Sequence, residues 1–190
     1  MSSKALVPER LNLSSSLTNV VKSLITVSIG VVAMALLSQV AIPLPGTPVP
    51  LTGQTFGVVL IALLMGSTLG SLTLVSYFTL GLFGAPIMAM GKSLTVIGPT
   101  SGYLVGMVLA AYIVGAISDR GFGRTFWSAF TVSFFAGAFI IFTGALGLRF
   151  FMPDSTVLAA GVIPFIVGDV IKSLAVAVII DRLYNAKKIA

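Results

Sequence analysis

The chain has 190 residues, of which 57% are hydrophobic and only 8% charged, and its mean hydropathy is +1.11. A soluble domain carries about 25% charged residues, and so short a chain cannot hide this much apolar surface in a core of its own; lipid must be the solvent for most of it. The sequence holds no Cys and no His, which excludes thiol nucleophiles, imidazole acid–base chemistry and zinc or haem sites made from the usual ligands.

No Asp, Glu, Lys or Arg occurs from Ser23 to Gly91 or from Thr125 to Leu148. In lipid every backbone N–H and C=O needs an internal partner, so spans are helices or closed barrels. The apolar runs are continuous rather than alternating, which excludes a barrel. The expected fold is therefore all-α: a single membrane domain over residues 1–190, a six-transmembrane-helix bundle with spans at roughly 19–42, 54–65, 69–83, 101–118, 126–148 and 164–183. The first span is too long for the apolar region of a cleavable signal peptide, and no A-x-A site follows it. Its small residues Thr26, Gly30, Ala33 and Ala35 permit close approach of another helix, either from this bundle or from a partner. The second and third spans are short and are separated only by Gly66-Ser-Thr-Leu-Gly70, a tight turn with glycines at both ends. Pro164 fits the first turn of the last helix, where its missing N–H costs nothing.

Lys and Arg set the orientation. With six spans both termini share a side, and that side collects Lys4, Arg10, Lys22, Arg120, Arg124, Arg182, Lys187 and Lys188, against only Lys92 and Arg149 opposite. Both termini are expected in the cytoplasm, with the chain in the cell membrane. Asp119, Arg120 and Arg124 then form a cytoplasmic loop whose charges serve topology. Because the basic residues sit at helix ends rather than in one patch, the net charge of +6 gives no support to nucleic-acid binding. The outer loops, Pro43–Gly53, Gly84–Thr100 and Arg149–Ile163, are too apolar to be merely solvated. They are expected to fold back onto the bundle, the third with a short helix near Ser155–Ala160.

Asp169 and Lys172 are the only acid and base in the interior of a predicted span, the other span charges, Lys22, Asp181 and Arg182, lying at span ends. Their i, i+3 spacing puts them on one helix face, and ionisable groups within a membrane usually face a cavity or each other. Together they present an acceptor-only and a donor-only group just below the outer surface, a match for a cyclic urea or amide. The alternative is a self-compensating ion pair that orients the helix. Gln54 and Thr55 open the second span. Gly98-Pro-Thr-Ser-Gly-Tyr103 opens the fourth, where free N–H groups suit an anion and Tyr103 adds an aromatic face with a polar tip. Against this, Thr100 or Ser101 would simply cap the helix and Tyr103 would sit in the interfacial belt. No P-loop, catalytic triad or metal-ligand cluster is present, so no catalytic chemistry and no cofactor are expected.

Four stretches resemble the BioY family, the biotin-specific S component of energy-coupling-factor (ECF) transporters. They are Ile42-Pro-Leu-Pro45 with Pro48-Val-Pro50, Thr52, Gln54 and Thr55; Tyr77 with Gly81-Leu82 and Gly84-Ala-Pro86; Gly98-Pro-Thr-Ser-Gly-Tyr103; and Pro164 with Gly168-Asp169 and Lys172. Ser101 stands where the family usually has glycine. The family's A-x-x-x-A coupling motif is absent in strict form, Thr26-x-x-x-Gly30 being the nearest small pair. The resemblance implies a six-helix bundle that captures biotin near its outer face, Asp169 and Lys172 at the ureido ring, and as partners a membrane-embedded coupling protein and a pair of cytoplasmic ATPases. The expected substrate-binding residues are Asp169, Lys172, Tyr103, Gln54, Thr100, Gly98, Ser101 and Lys92, with the Gly98–Ser101 donors or Lys92 toward the valerate carboxylate. The rival readings are an S component for another vitamin and a structural membrane subunit that uses Asp169 and Lys172 only for assembly.

Overall fold

The computed structural model describes residues 17–94 and 98–189. Helix α1 (Leu17–Gln39) leads into a two-stranded antiparallel ribbon, β1 (Ala41–Ile42) and β2 (Leu51–Thr52), with Ala41 opposite Thr52 and Ile42 opposite Leu51. Then come α2 (Gln54–Leu82), α3 (Ser101–Asp119), α4 (Phe126–Leu148), the short α5 (Asp154–Gly161) and α6 (Ile163–Ile189). Five helical stretches are long and apolar enough to cross a membrane: Thr18–Gln39, Gln54–Leu82, Ser101–Asp119, Phe126–Leu148 and Asp154–Ala186, the last running through the break at Val162. Their outward faces are apolar, as lipid contact requires. On α1, Leu24, Ile29, Val32 and Leu36 are all more than half exposed.

The helical stretch α2 is not straight. Gly66, at φ 78° and ψ −175°, breaks it, and the chain folds back so that Gln54 Nε2 reaches the Tyr77 hydroxyl at 3.0 Å, a contact that 23 residues of straight helix would place about 35 Å apart. The turn read from Gly66–Gly70 is present but falls on Gly66 alone, Ser67 to Gly70 being helical, and two antiparallel arms, 54–65 and 67–82, lie side by side. Asp119, at the end of α3, holds this turn: its Oδ2 accepts from the Ser67 backbone N–H at 3.0 Å and from the Ser67 hydroxyl. A Cβ at Gly66 would overlap the Asp119 carboxylate.

Gly66 sits in backbone territory that only glycine adopts without strain, at a cost of about 1–3 kcal/mol for other residues. Gly66→Ala is thus expected to lower the thermal unfolding midpoint in detergent, whereas Gly98→Ala, with open space around its Cβ position, leaves it unchanged. Equal midpoints for the two variants would contradict this account of the turn.

Charges gather by end. Lys22, Asp119, Arg120, Arg124, Asp181 and Arg182 lie toward the end that holds the Gly66 turn and the α3–α4 connection. There Asp181 Oδ1 accepts from the Phe126 N–H at 3.2 Å, capping α4, and the Arg124 guanidinium lies 5.6 Å from the centre of the Tyr184 ring. The opposite end carries Lys92 and a two-point ion pair between Arg149 and Asp154, at 2.8 and 2.9 Å. Lys4 and Arg10, assigned from sequence to the first end, lie outside the described residues.

At that second end the connections do fold inward. The ribbon buries Val49, and the segment after α2 buries Met88, which closes a small turn with Lys92 (Met88 N to Lys92 O, 2.9 Å) around a 3-10 turn at Ala89–Gly91. The ribbon was not expected in an all-α fold, because strands of two residues leave no alternating pattern to read.

Candidate functional site

A cavity of about 370 Å³ opens at this end of the bundle. Its walls come from the ribbon, the start of α2, the segment after α2, the N-terminal half of α3, the middle of α4 and the first turns of α6. Seven of the eight residues expected at a site line it: Asp169, Lys172, Tyr103, Gln54, Thr100, Gly98 and Lys92. Ser101 does not. Its hydroxyl is turned to the backbone of Gly98, 2.8 Å from both the N–H and the C=O, where it closes the turn before α3. The helix-capping alternative is not realised either, since α3 has no side-chain cap; a short hydroxyl satisfies the nearest free backbone groups first, here those of Gly98.

Asp169 and Lys172 share a face of α6, as their spacing requires, but no ion pair joins them. Lys172 Nζ instead donates to Thr55 Oγ1 at 2.8 Å, across from α6 to the start of α2. Asp169 is 7% exposed, and no group among the described residues donates a hydrogen bond to its carboxylate. Its carboxylate packs against Gly137 on α4, where any Cβ would overlap it. A buried acceptor without a donor is costly unless a ligand completes it. The self-compensating pair is therefore not what the side chains form.

Tyr103 is buried rather than part of an interfacial belt. Its hydroxyl donates to Gly161 O at 2.6 Å, tying α3 to the end of α5, and its ring stands 5.9 Å from that of Phe165. The tip is thus held by the protein, and the ring is an apolar wall. Gln54 is likewise held: Thr52 Oγ1 donates to its Oε1 at 3.2 Å and its Nε2 donates to Tyr77 at 3.0 Å, which leaves one amide N–H toward the cavity. Thr100 makes no side-chain cap, and the Ser101 N–H, the first of α3, is taken by Gly98 O at 3.0 Å. Pro48, Val49, Pro50, Met88, Leu104 and Met107 add apolar lining.

Three contributors were not assigned from the sequence. Thr55 was noted only as a helix start, and its partner 117 positions away is invisible to local reading. Phe165 carries no signal beyond its hydrophobicity. Gly137 lies in the charge-free run from Thr125 to Leu148, where one glycine among several has nothing to mark it as the seat of a carboxylate.

An integral membrane bundle whose polar groups converge on one walled cavity, with a buried acceptor and a cation in its wall, is a membrane-embedded binding protein. The chain belongs to the BioY family, whose model matches residues 7–188. Among its relatives, the biotin transporter BioY of Thermotoga maritima is 34% identical over 146 residues, covering 75% of this chain and 85% of the relative. The probable biotin transporter BioY of Pyrococcus horikoshii is 35% identical over 138 residues, covering 72% and 81%. The fold matches the crystal structure of the S-component for biotin from an ECF-type ABC transporter with a TM-score of 0.79 at 25% identity, over 90% of this chain and 95% of that one.

Proposed function

We propose that this protein is the biotin-capturing S component of an ECF-type transporter, not an enzyme, and that the cavity lined by Asp169 and Lys172 is the biotin site. The observation that carries the site assignment is the Asp169 carboxylate, buried at the cavity wall with no donor from the protein. The ureido N–H groups of biotin supply the missing donors, and the ureido C=O accepts from Lys172 in place of, or beside, Thr55. Tyr103, Phe165, Met88 and the ribbon prolines cover the thiophane ring and chain. The start of α3 at Thr100 and the Lys92 ammonium at the mouth suit the valerate carboxylate. Apolar cover supplies contact, while the matched polar pair supplies selectivity, since unmatched buried polar groups are costly. Another vitamin remains the rival ligand; native mass spectrometry of the purified protein for co-purified biotin decides between them, and a different bound vitamin or none would reject the assignment.

Gly137 gives this reading a separate test. A methyl group there must push the Asp169 carboxylate aside, and overpacking of this kind costs about 1–3 kcal/mol, or roughly five- to a hundredfold in affinity if it falls on the binding geometry. Gly137→Ala is expected to weaken biotin binding in calorimetry far more than Gly98→Ala does. Similar, small losses for the two would place Asp169 outside the recognition geometry.

The proposed topology is a single membrane domain with six crossings, the two arms of α2 each counting as one and both termini cytoplasmic. The arms are short against the ~30 Å hydrocarbon core. In support, their turn meets the C-terminal end of α3 while their open end borders the same cavity as the N-terminal end of α3. The four basic residues Lys22, Arg120, Arg124 and Arg182 at the turn end favour that end as cytoplasmic. Single cysteines at 92 and 154 are expected to react with a membrane-impermeant reagent applied outside cells, and one at 120 is not; the reverse pattern rejects the topology. In the cell membrane the partners are then a membrane-embedded coupling protein and a cytoplasmic ATPase pair, since this chain has no Walker motif of its own.

A further inference from the structure

The segment over the cavity mouth is fastened to the rest of the bundle in an unusual way. Its carbonyls and N–H groups are held by side chains from two helices, the arm of α2 just before it and the distant end of α1. The Tyr77 hydroxyl, on the second arm of α2, donates to Ile87 O at 3.0 Å, and Ser38 Oγ, at the end of α1, lies 2.7 Å from the same carbonyl. Gln39 Nε2 donates to Met88 O at 3.1 Å, while Gln39 Oε1 accepts from the Gly91 N–H at 3.0 Å. Tyr77 is fully buried, and the same hydroxyl accepts from Gln54 Nε2 at 3.0 Å. One oxygen therefore joins a cavity-wall amide to the backbone of the cavity's roof. Met88, Ala89, Met90 and Lys92 of that roof line the cavity, and Met88 is only 6% exposed.

We infer that Tyr77 is a positioning residue for ligand retention: its hydroxyl locks the Ile87–Lys92 roof to Gln54, and release of ligand requires the Tyr77–Ile87 bond to break. The hydroxyl touches no part of the cavity itself, so its effect on ligand passes through the roof and through the orientation of the Gln54 amide. The roof carries its own counter-tension. Met90 is held at φ 60°, the only non-glycine residue at positive φ among the described residues, a conformation that persists only while its surroundings impose it. Without the Tyr77 hydroxyl, Ser38 still reaches Ile87 O, so the roof stays folded but opens more often.

Two measurements on the full-length protein test this. The chain has no cysteine, so Met88→Cys is a unique thiol at a largely buried roof position, and its reaction rate rises when the roof lifts more often. Tyr77→Phe, which keeps the ring, is expected to raise the maleimide labelling rate of Met88→Cys in ligand-free protein several-fold. It is also expected to raise the biotin dissociation rate at least about threefold with the association rate within about twofold, since two neutral hydrogen bonds are lost, the one to Ile87 O and the one from Gln54 Nε2. An unchanged labelling rate overturns the inference whatever the ligand. So does an unchanged dissociation rate in a protein that binds biotin, or a rise in labelling matched by the same rise for a control variant of equal thermal stability lacking any roof contact, such as Gly66→Ala. The dissociation arm rests on the biotin-capture reading and the labelling arm does not; wild type that fails to bind biotin while labelling still responds to Tyr77→Phe rejects that reading and leaves the roof mechanism standing.

Discussion

Asp169→Asn is expected to weaken biotin binding by about ten- to a hundredfold, the usual effect of losing about 1.5–3 kcal/mol from a charged hydrogen-bond partner in a buried site. The substitution keeps the shape of the side chain and its place against Gly137, but it replaces one carboxylate oxygen with a donor. That donor faces the ligand N–H groups donor to donor. Asp154→Asn is the contrasting change. It breaks the pair with Arg149, but that pair is exposed, with the two side chains 55% and 67% accessible, and such pairs contribute little. Biotin titration of both variants in correctly inserted protein checks the expectation. Equal and small effects would exclude a ligand role for Asp169.

The second large effect concerns how Asp169 and Lys172 act together. In the ligand-free protein they do not touch each other, and Lys172 bonds Thr55 instead. Their effects on biotin affinity are expected to be non-additive, because a ureido group bridges them. Lys172→Met removes the donor that holds the ureido oxygen, and a ureido ring fixed at one end only no longer seats its N–H groups on the Asp169 carboxylate. Lys172→Met alone is expected to abolish most binding, and adding Asp169→Asn is expected to cost little more. A role in assembly predicts a different pattern: single variants that misfold and a neutral double variant that recovers expression. Well-folded single variants with unchanged biotin affinity would remove this pair from recognition altogether.

The same pair marks the boundary of what local reading can reach. Spacing of three on a helix was enough to put both groups on one face, and the rarity of charge in a span was enough to single them out. Spacing could not decide whether they face each other or across the bundle, because that depends on what α2 and α4 bring opposite them. Thr55 offers Lys172 an acceptor, and Gly137 makes room for the carboxylate on the far side. Tyr103 is a similar case. Its membership in the site was readable, but its hydroxyl answers to Gly161, 58 positions away, so it is a wall and not a donor. Ser101 went the other way: it belonged to the motif, yet its hydroxyl closes the turn before α3.

Composition and the continuous apolar runs by themselves determined that this protein is a helical membrane bundle, where its long helices begin, and that the chain turns back at the Gly66 end of the Gly66–Gly70 segment. These follow from hydrophobicity, chain length and the need to satisfy each backbone group within its own helix, all of which are local. The tertiary structure alone decided the rest. The Pro43–Pro50 loop is a ribbon that walls the cavity, the Ile87–Lys92 roof hangs from Tyr77, Ser38 and Gln39, and Asp169 is left without a protein partner. These features are hydrogen bonds and overlaps between residues 10 to 117 positions apart, and a group's partner at that distance is set by which helices pack together, a choice that no window along the chain contains.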